Sequence, residues 1–416
     1  MLPVSAASGT GTRFVDALFT STSAVCVTGL VVHNTAAYWS VFGQVVILLL
    51  IQAGGLGIMT YATAHALVTG RRVTLKERIM IQEQMGYWSL SGLVGLMKEV
   101  ILFTLVFEAV GALVLGVAFS CSMGLELGEA VFFGVFHSIS AFCNAGFDIT
   151  GSSLMECSGA PWIIIPISLL IILGGVGFYV IADLYSNKAK WGKLSLHTRV
   201  ALKMTVILLL VGTVFVYALE KDNPATIGNM SIGDKLLSSW FQSVTPRTAG
   251  FNSIATEGLR IPTAFFVILL MFIGASPGGT GGGIKTTTFY STFKFVVSSV
   301  RGQEDVNVSK RRLPRNLVTR ALVIVLLSIG LIVTSTLLLT ITEDAEFLDI
   351  LFEVVSAFGT VGLSRGLTPS LSDLGKIVLT ITMFAGRVGP LSFMIAIYRN
   401  SQKPNIRYPE ERVSVG

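Results

Sequence analysis

The chain has 416 residues, 52% of them hydrophobic and only 13% charged, with mean hydropathy +0.73. Soluble domains carry about a quarter charged residues, so an ordinary soluble domain is excluded and a polytopic membrane protein is specified. The net charge of +6 does not argue for nucleic acid, because the basic residues are scattered through connections between apolar runs rather than gathered on one soluble surface.

In chain order, Met1-Leu-Pro-Val and a polar stretch lead to Phe14-Val-Asp-Ala-Leu-Phe19, read as a short re-entrant helix. No basic n-region with a long apolar core precedes it, so no signal peptide is expected in this stretch. The stretch Cys26-Val-Thr-Gly-Leu30 follows. Related stretches recur at Cys143-Asn-Ala-Gly-Phe147, Arg247-Thr-Ala-Gly-Phe251 and Gly359-Thr-Val-Gly-Leu363, at intervals of about 110 residues. Each glycine has an aromatic ten positions earlier: Phe19, Phe136, Trp240 and Phe352.

Runs long enough to cross a hydrocarbon core of about 30 Å fall at residues 41 to 61, 93 to 120, 162 to 185, 201 to 219, 264 to 290, 317 to 341 and 376 to 398. Four loops among them predict an all-α polytopic fold: four pseudo-symmetric units of helix, pore helix, loop and helix around one pore. The units are 1–70, 71–190, 191–300 and 301–399, with a tail at 400–416. The first unit has no spanning helix before its loop, so the chain is expected to be truncated there, with Met1 to Val4 a remnant of the missing helix.

Lys and Arg concentrate in connections holding Arg71, Arg72, Lys76, Arg78 and Lys98, then Lys188 to Lys203, then Lys285 to Arg320, and in the tail. That asymmetry makes those sides cytoplasmic, the C-terminus included. The remaining connections carry Glu126, Glu129, Asp148, Glu156, Glu220, Asp222, Glu343, Asp344 and Glu346. All four glycine loops lie on this acidic, outer side, where carboxylates raise the local cation concentration.

Glycine takes φ > 0 at no steric cost, so neighbouring carbonyls can turn to one side, and four related loops would aim them at a common axis. Dehydrating an ion costs on the order of 20 kcal/mol in an idealised transfer to low dielectric, so several oxygens must act together.

Two of the spans contain Gln52-Ala-Gly-Gly-Leu-Gly57 and Leu173-Gly-Gly-Val-Gly177, read as close helix packing through small residues; Ala385-Gly-Arg-Val-Gly-Pro390 occupies the matching place in the fourth unit. The third unit has Gly274-Ala-Ser-Pro-Gly-Gly-Thr-Gly-Gly-Gly-Ile-Lys285 instead. No continuous helix survives that density of glycine and proline, and a backbone break at membrane depth must be buried or line water. It is expected in the pore below the loops. A phosphate-cradle reading fails, because Ile284 separates the last glycine from Lys285 and no strand precedes the run. Arg387 is read as a pore-lining charge beside this break. Glu108 within a span contacts polar neighbours or has a role of its own, and Arg247 is expected to brace the third loop from behind. His33, His65, His137 and His197 belong to four different segments and form no metal or catalytic set. The cysteines form no C-x-x-C pair, and a Cys121–Cys157 disulfide is not expected. No paired Asp, His/Glu or Ser/His set lies inside the spans, which argues against a membrane-embedded enzyme.

These residues resemble the Trk/Ktr/HKT superfamily of potassium-uptake proteins, and most of all its Ktr-type pore subunits. The resemblance rests on four motifs in register, Val-Thr-Gly-Leu at 27–30, Asn-Ala-Gly-Phe at 144–147, Thr-Pro-Arg-Thr-Ala-Gly-Phe-Asn at 245–252 and Gly-Thr-Val-Gly-Leu at 359–363. It implies a potassium filter formed by Val27, Thr28, Gly29, Asn144, Ala145, Gly146, Thr248, Ala249, Gly250, Thr360, Val361 and Gly362. It also implies an intramembrane gate formed by Ser276, Pro277, Gly278, Gly279, Thr280, Gly281, Gly282, Gly283 and Arg387. Serine at the first filter's glycine goes with sodium permeability in this superfamily, so Gly29 implies potassium preference. The resemblance further implies a homodimer in the plasma (inner) membrane, contact with lipid, and a cytosolic nucleotide-binding regulatory subunit of the Ktr/RCK type. Sodium is implied as a coupling or activating ion, with no organic cofactor in this chain. A sodium-permeable or proton-linked Trk/HKT-type transporter is the alternative.

Overall fold

The computed structural model describes residues 2–57 and 93–390, together with 392, 409 and 411. The basic connection from Arg71 to Arg78, His65, the ends of the first and last runs, and most of the tail lie outside the described residues.

Among the described residues, three helices are unbroken and apolar enough to cross a bilayer, namely α3 (Leu93–Met123), α7 (Leu196–Glu220) and α11 (Arg315–Thr342). Four short helices, α1 (Phe14–Val25), α4 (Leu127–Phe142), α8 (Ile232–Val244) and α12 (Phe347–Gly359), each run into one glycine loop. After each loop comes a further apolar helix: α2 (Val41–Leu56), α5 (Pro161–Val176), α9 (Ile261–Phe272) and α13 (Asp373–Val388). Serine caps start several of them, as Ser40, Ser195, Ser231 and Ser372 each accept a first-turn N–H that would otherwise lack a partner. All-helical spans are what a lipid environment demands, since every backbone group must be satisfied within its own segment.

The helices that follow the loops are not the continuous spans expected for 162–185 and 264–290. Helix α5 stops at Gly177, where φ is +101°, and the chain turns by 91° into α6 (Phe178–Ser186). Gly57 and Gly389 end α2 and α13 with the same backbone, φ +82° and +94°. The close-packing expectation therefore holds for part of each motif only. The preceding glycines do pack: a Cβ on Gly54, Gly174 or Gly386 would collide with the carbonyl oxygen of Val25, Phe142 or Phe358, at the C-terminal end of α1, α4 or α12. Small residues thus seat three of the four short helices, and the glycine three residues on ends the helix that seats each.

Helices α4, α8 and α12 pack against α3, α7 and α11, whereas α1 packs against α2 and α13. Beside α1 lies an apolar groove of about 290 Å³ lined by Phe14, Leu18, Trp39, Gly43, Ile47 and Leu50 among others. Three large hydrophobic clusters surround the loops, with Phe19, Phe136, Phe241 and Phe352 fully buried. Trp240, expected at the matching place in the third unit, is only partly buried. The difference is a one-residue shift: Phe241, not Trp240, takes the inner position, and the Ala249 N–H bonds four residues back rather than the five seen in the other loops.

Helix α10 (Thr286–Val300) leads into a hairpin of β1 (Asn307–Val308) and β2 (Arg311–Arg312). Ser309 and Lys310 at its tip are left-handed, φ +48° and +63°, the backbone a tight two-residue hairpin needs. Val308 is buried with Leu270, Ile273 and Met204. The 301–315 connection is therefore docked under the end of α9. All four cysteines are free, Cys121 and Cys157 included.

Candidate functional site

The four loops close into a ring. A Cβ on Gly146 would lie 2.7 Å from the carbonyl oxygen of Ala249, and one on Gly250 would lie 2.5 Å from that of Val361. On Gly29 it would meet the Ala145 oxygen, and on Gly362 the Thr28 oxygen, closer still. Each glycine thus faces the carbonyl of the residue before the next glycine, in the order 29, 146, 250, 362 and back to 29. Only glycine fits such an approach.

The backbone repeats too. The glycines have φ of +93°, +67°, +79° and +93°, and the first residue of each loop is also left-handed: Val27 +57°, Asn144 +60°, Thr248 +71° and Thr360 +49°. Three of these four are β-branched, for which φ > 0 is a genuine outlier. Such strain, of order 1–3 kcal/mol per residue, persists only where the surroundings over-determine it.

Hydrogen bonds behind the ring supply that constraint. The N–H groups of Thr28, Ala145 and Val361 donate to the carbonyls of Ser23, Ser140 and Ser356, at 2.8, 2.7 and 2.8 Å. In the third loop the Ala249 N–H donates to Thr245 at 2.9 Å, one residue nearer, which is the same shift that moves the buried aromatic to Phe241. The serine and threonine side chains add a second bond. Ser23 and Ser356 accept from the N–H groups of Gly29 and Gly362, each at 3.1 Å, while Ser140 and Thr245 donate to the carbonyls of Phe147 and Phe251, each at 2.7 Å. These four hydroxyls were not singled out from the sequence. Their signal was a hydroxyl at nearly constant distance before each glycine.

The Gly-rich segment 276–283 lies against one face of this ring. The N–H groups of Ser276 and Thr280 donate to Gly175 and Gly174 at 2.9 and 3.1 Å, and the Thr280 hydroxyl donates to Phe142 at 3.2 Å. The Gly282 N–H donates to the Thr360 hydroxyl at 3.0 Å, and a Cβ on Gly281 would strike the Thr248 side chain. The left-handed first residues of the third and fourth loops therefore point their side chains at this segment. Asn144 points the same way as its neighbours in the ring, its amide 3.2 Å from the Thr248 hydroxyl.

Arg387 donates to the carbonyls of Thr280 in the segment and of Gly54 in α2, bridging the first and fourth units across it. Lys285 donates to the carbonyls of Gly281 and Gly282. It is a second cation on the segment, which the sequence reading weighed as the end of a phosphate motif and counted among the basic residues of the cytoplasmic connections.

Arg247 is buried behind the third loop and donates to Thr205 of α7 at 3.3 Å, the bracing place expected for it. Glu108 accepts from Gln52 of α2 at 3.0 Å and lies near the Cys143 thiol, so it contacts polar neighbours. His137 is fully buried, its Nδ1 2.8 Å from the Phe133 carbonyl. On the acidic face, carboxylates expected to collect cations also hold chain segments together. Glu220 is buried and accepts from Asn223, Thr226 and the Arg260 N–H, and Glu343 accepts from Ser372. Burial raises the Asp148 carboxyl above its ordinary range, against the N–H groups of Ser153 and Gly151 and the Thr150 hydroxyl, which lower it.

The TrkH family model, described as cation transport protein, matches residues 3–406. The chain is 42% identical to Ktr system potassium uptake protein B of Bacillus subtilis over 416 residues, which are 100% of this chain and 92% of that protein. It is 37% identical to potassium/sodium uptake protein NtpJ of Enterococcus hirae, covering 100% of this chain and 92% of the relative. The crystal structure of the potassium transporter TrkH from Vibrio parahaemolyticus superposes with a TM-score of 0.73 at 19% identity, over 93% of this chain and 79% of that one.

Proposed function

The chain belongs to the TrkH family of cation transport proteins, and on that premise we propose that it is a potassium uptake pore in which Gly29, Gly146, Gly250 and Gly362 and the two residues before each of them form the filter. It is a multi-pass membrane protein and not an enzyme. The observation that carries the reading is the left-handed backbone repeated at the first and last residue of all four loops. Left-handed residues on either side of the middle one turn neighbouring carbonyls to one side, and the middle residues' N–H groups are occupied behind the ring, so the oxygens are free to replace an ion's water.

The segment 276–283 is the gate. Its backbone sits against the side chains of two filter loops and carries Lys285 and Arg387; two cations beside the path oppose the passage of a third until they move. Uptake runs across the plasma membrane, with the loops outside and the C-terminus in the cytoplasm, the sense the Lys and Arg asymmetry supports. We further propose that it works as a homodimer with a cytosolic nucleotide-binding subunit; the relative named as part of a Ktr system is consistent with a partner subunit, and the potassium/sodium-named one favours a second reading, sodium permeation through the same ring.

The test is uptake of potassium, rubidium and sodium into cells that lack their own potassium uptake. Rubidium following potassium with sodium excluded is expected. Equal uptake of sodium supports the second reading, and no uptake of any of the three overturns both.

A further inference from the structure

Ser153 occupies an unfavourable backbone conformation, φ +55°, in a loop beyond the second glycine where nothing in the sequence marks it. Its polar atoms are all engaged. Its N–H donates to Asp148 Oδ2 at 3.1 Å, its carbonyl accepts from the Thr150 hydroxyl at 2.5 Å, and its own hydroxyl accepts the Asn252 N–H at 2.9 Å. Asp148 lies two residues after Gly146, and Asn252 two residues after Gly250. The next N–H, of Leu154, donates to the Asn252 carbonyl at 2.9 Å, and Leu154 is fully buried. On the other side, Asn34 Nδ2 of the first unit donates to the Gly151 carbonyl at 2.6 Å. One short loop thus ties the exits of three units together, and Ser153 is the side chain that reaches the third.

We infer that Ser153 is a positioning residue for the ring: its hydroxyl, presented by a left-handed backbone, fixes the exit of the third loop against that of the second and so keeps Gly146 and Gly250 in register. The inference rests on the filter reading above. Discrimination between two ions of one charge depends on oxygen positions, so a seam that yields by a fraction of an ångström lets the ring close on the smaller ion. The hydroxyl accepts a partly buried N–H at this seam beside the Leu154–Asn252 bond, and its loss leaves that N–H to water.

Ser153→Gly tests this without adding strain, because glycine accepts φ +55° freely and keeps the N–H bond to Asp148. Ser153→Thr keeps the hydroxyl and increases the strain. The potassium-over-sodium uptake ratio is measured for parent and variants, with thermal stability in detergent as the control. The ratio is expected to fall by up to about tenfold in Ser153→Gly, with stability at or above the parent's, and to stay near the parent's in Ser153→Thr. A parental ratio in Ser153→Gly overturns the inference. So does an equal fall in both variants, or failure of Ser153→Gly to fold. A parent with no preference for potassium instead overturns the filter reading itself.

Discussion

At the scale of single residues, the four loops show how far a side chain can be forced when the backbone is needed for something else. Val27, Thr248 and Thr360 sit at φ > 0 although each is β-branched, a choice no local propensity would make. The glycine spacing was legible in the sequence because glycine is the one residue whose identity announces such a conformation. The strain at the residue two places earlier was not, since Val, Asn and Thr look ordinary anywhere. Gly29→Ser is the sharpest single change at this scale. The new Cβ would run into the Ala145 carbonyl, so that oxygen must leave its place in the ring. Potassium-over-sodium discrimination in uptake is expected to collapse while the protein still inserts, and a Ser variant as selective as the parent would sink the filter assignment. Gly174→Ala should act on folding instead. Its Cβ meets the Phe142 carbonyl, a backbone atom that cannot swing away, and overpacking of this kind costs typically 1–3 kcal/mol; a lower melting temperature in detergent is the measurement.

At the scale of elements, the third unit departs from its siblings, and the departure was partly visible. The density of glycine and proline from Gly274 to Gly283 could not be helical, and the structure has no helix between Phe272 and Thr286. The 91° turn after Val176 was hidden, because Leu173-Gly-Gly-Val-Gly reads equally well as a packing motif, and here it is both. Equally hidden was the docking of the β1–β2 hairpin, since Val308 is one apolar residue in a basic connection and its partners Leu270 and Ile273 are distant in sequence. The proposed gate makes two expectations at this scale. Shortening 276–283, or replacing Arg387 by Ala, removes donors and a positive charge from beside the path, so flux should rise by several-fold in proteoliposome uptake; unchanged flux in both, at normal protein levels, counts against a gate. Lys285→Met should act in the same direction, because Lys285 holds the carbonyls of Gly281 and Gly282.

At the scale of the whole molecule, the seams between neighbouring units are tied by different chemistry, which is why the recurring glycine motif announces the ring but not what holds its units together. Arg365 joins the fourth unit to the third through the carbonyls of Thr256 and Leu259. The fourth unit meets the first through a buried pair, Lys376 Nζ to Asp16 Oδ1 at 2.7 Å, with His33 3.4 Å from the same carboxyl. Removing one member of a buried pair strands the other charge and costs about 3–5 kcal/mol. Lys376→Met should therefore lower the melting temperature sharply, and Lys376→Met with Asp16→Leu should recover part of the loss; no recovery would mean the pair is not what holds this seam. The remaining question at this scale is control. Between the described spans the basic connections are short, and the hairpin at 307–312 is the best-formed element among them, too small to fold as a sensor. The proposed nucleotide-binding subunit is the chain that would supply ligand control. The hairpin offers that chain a lever, because Val308 packs in one cluster with Ile273, three residues before the gate segment begins. A partner shifts the gate only if it binds the hairpin differently in two states. Val308→Ser should weaken the linkage without touching the filter: in proteoliposomes carrying the pore and a soluble Ktr-type subunit, the ratio of flux with and without nucleotide should fall toward one while the potassium-over-sodium ratio stays at the parent's value. A nucleotide response unchanged in Val308→Ser would show that control reaches the gate by another route.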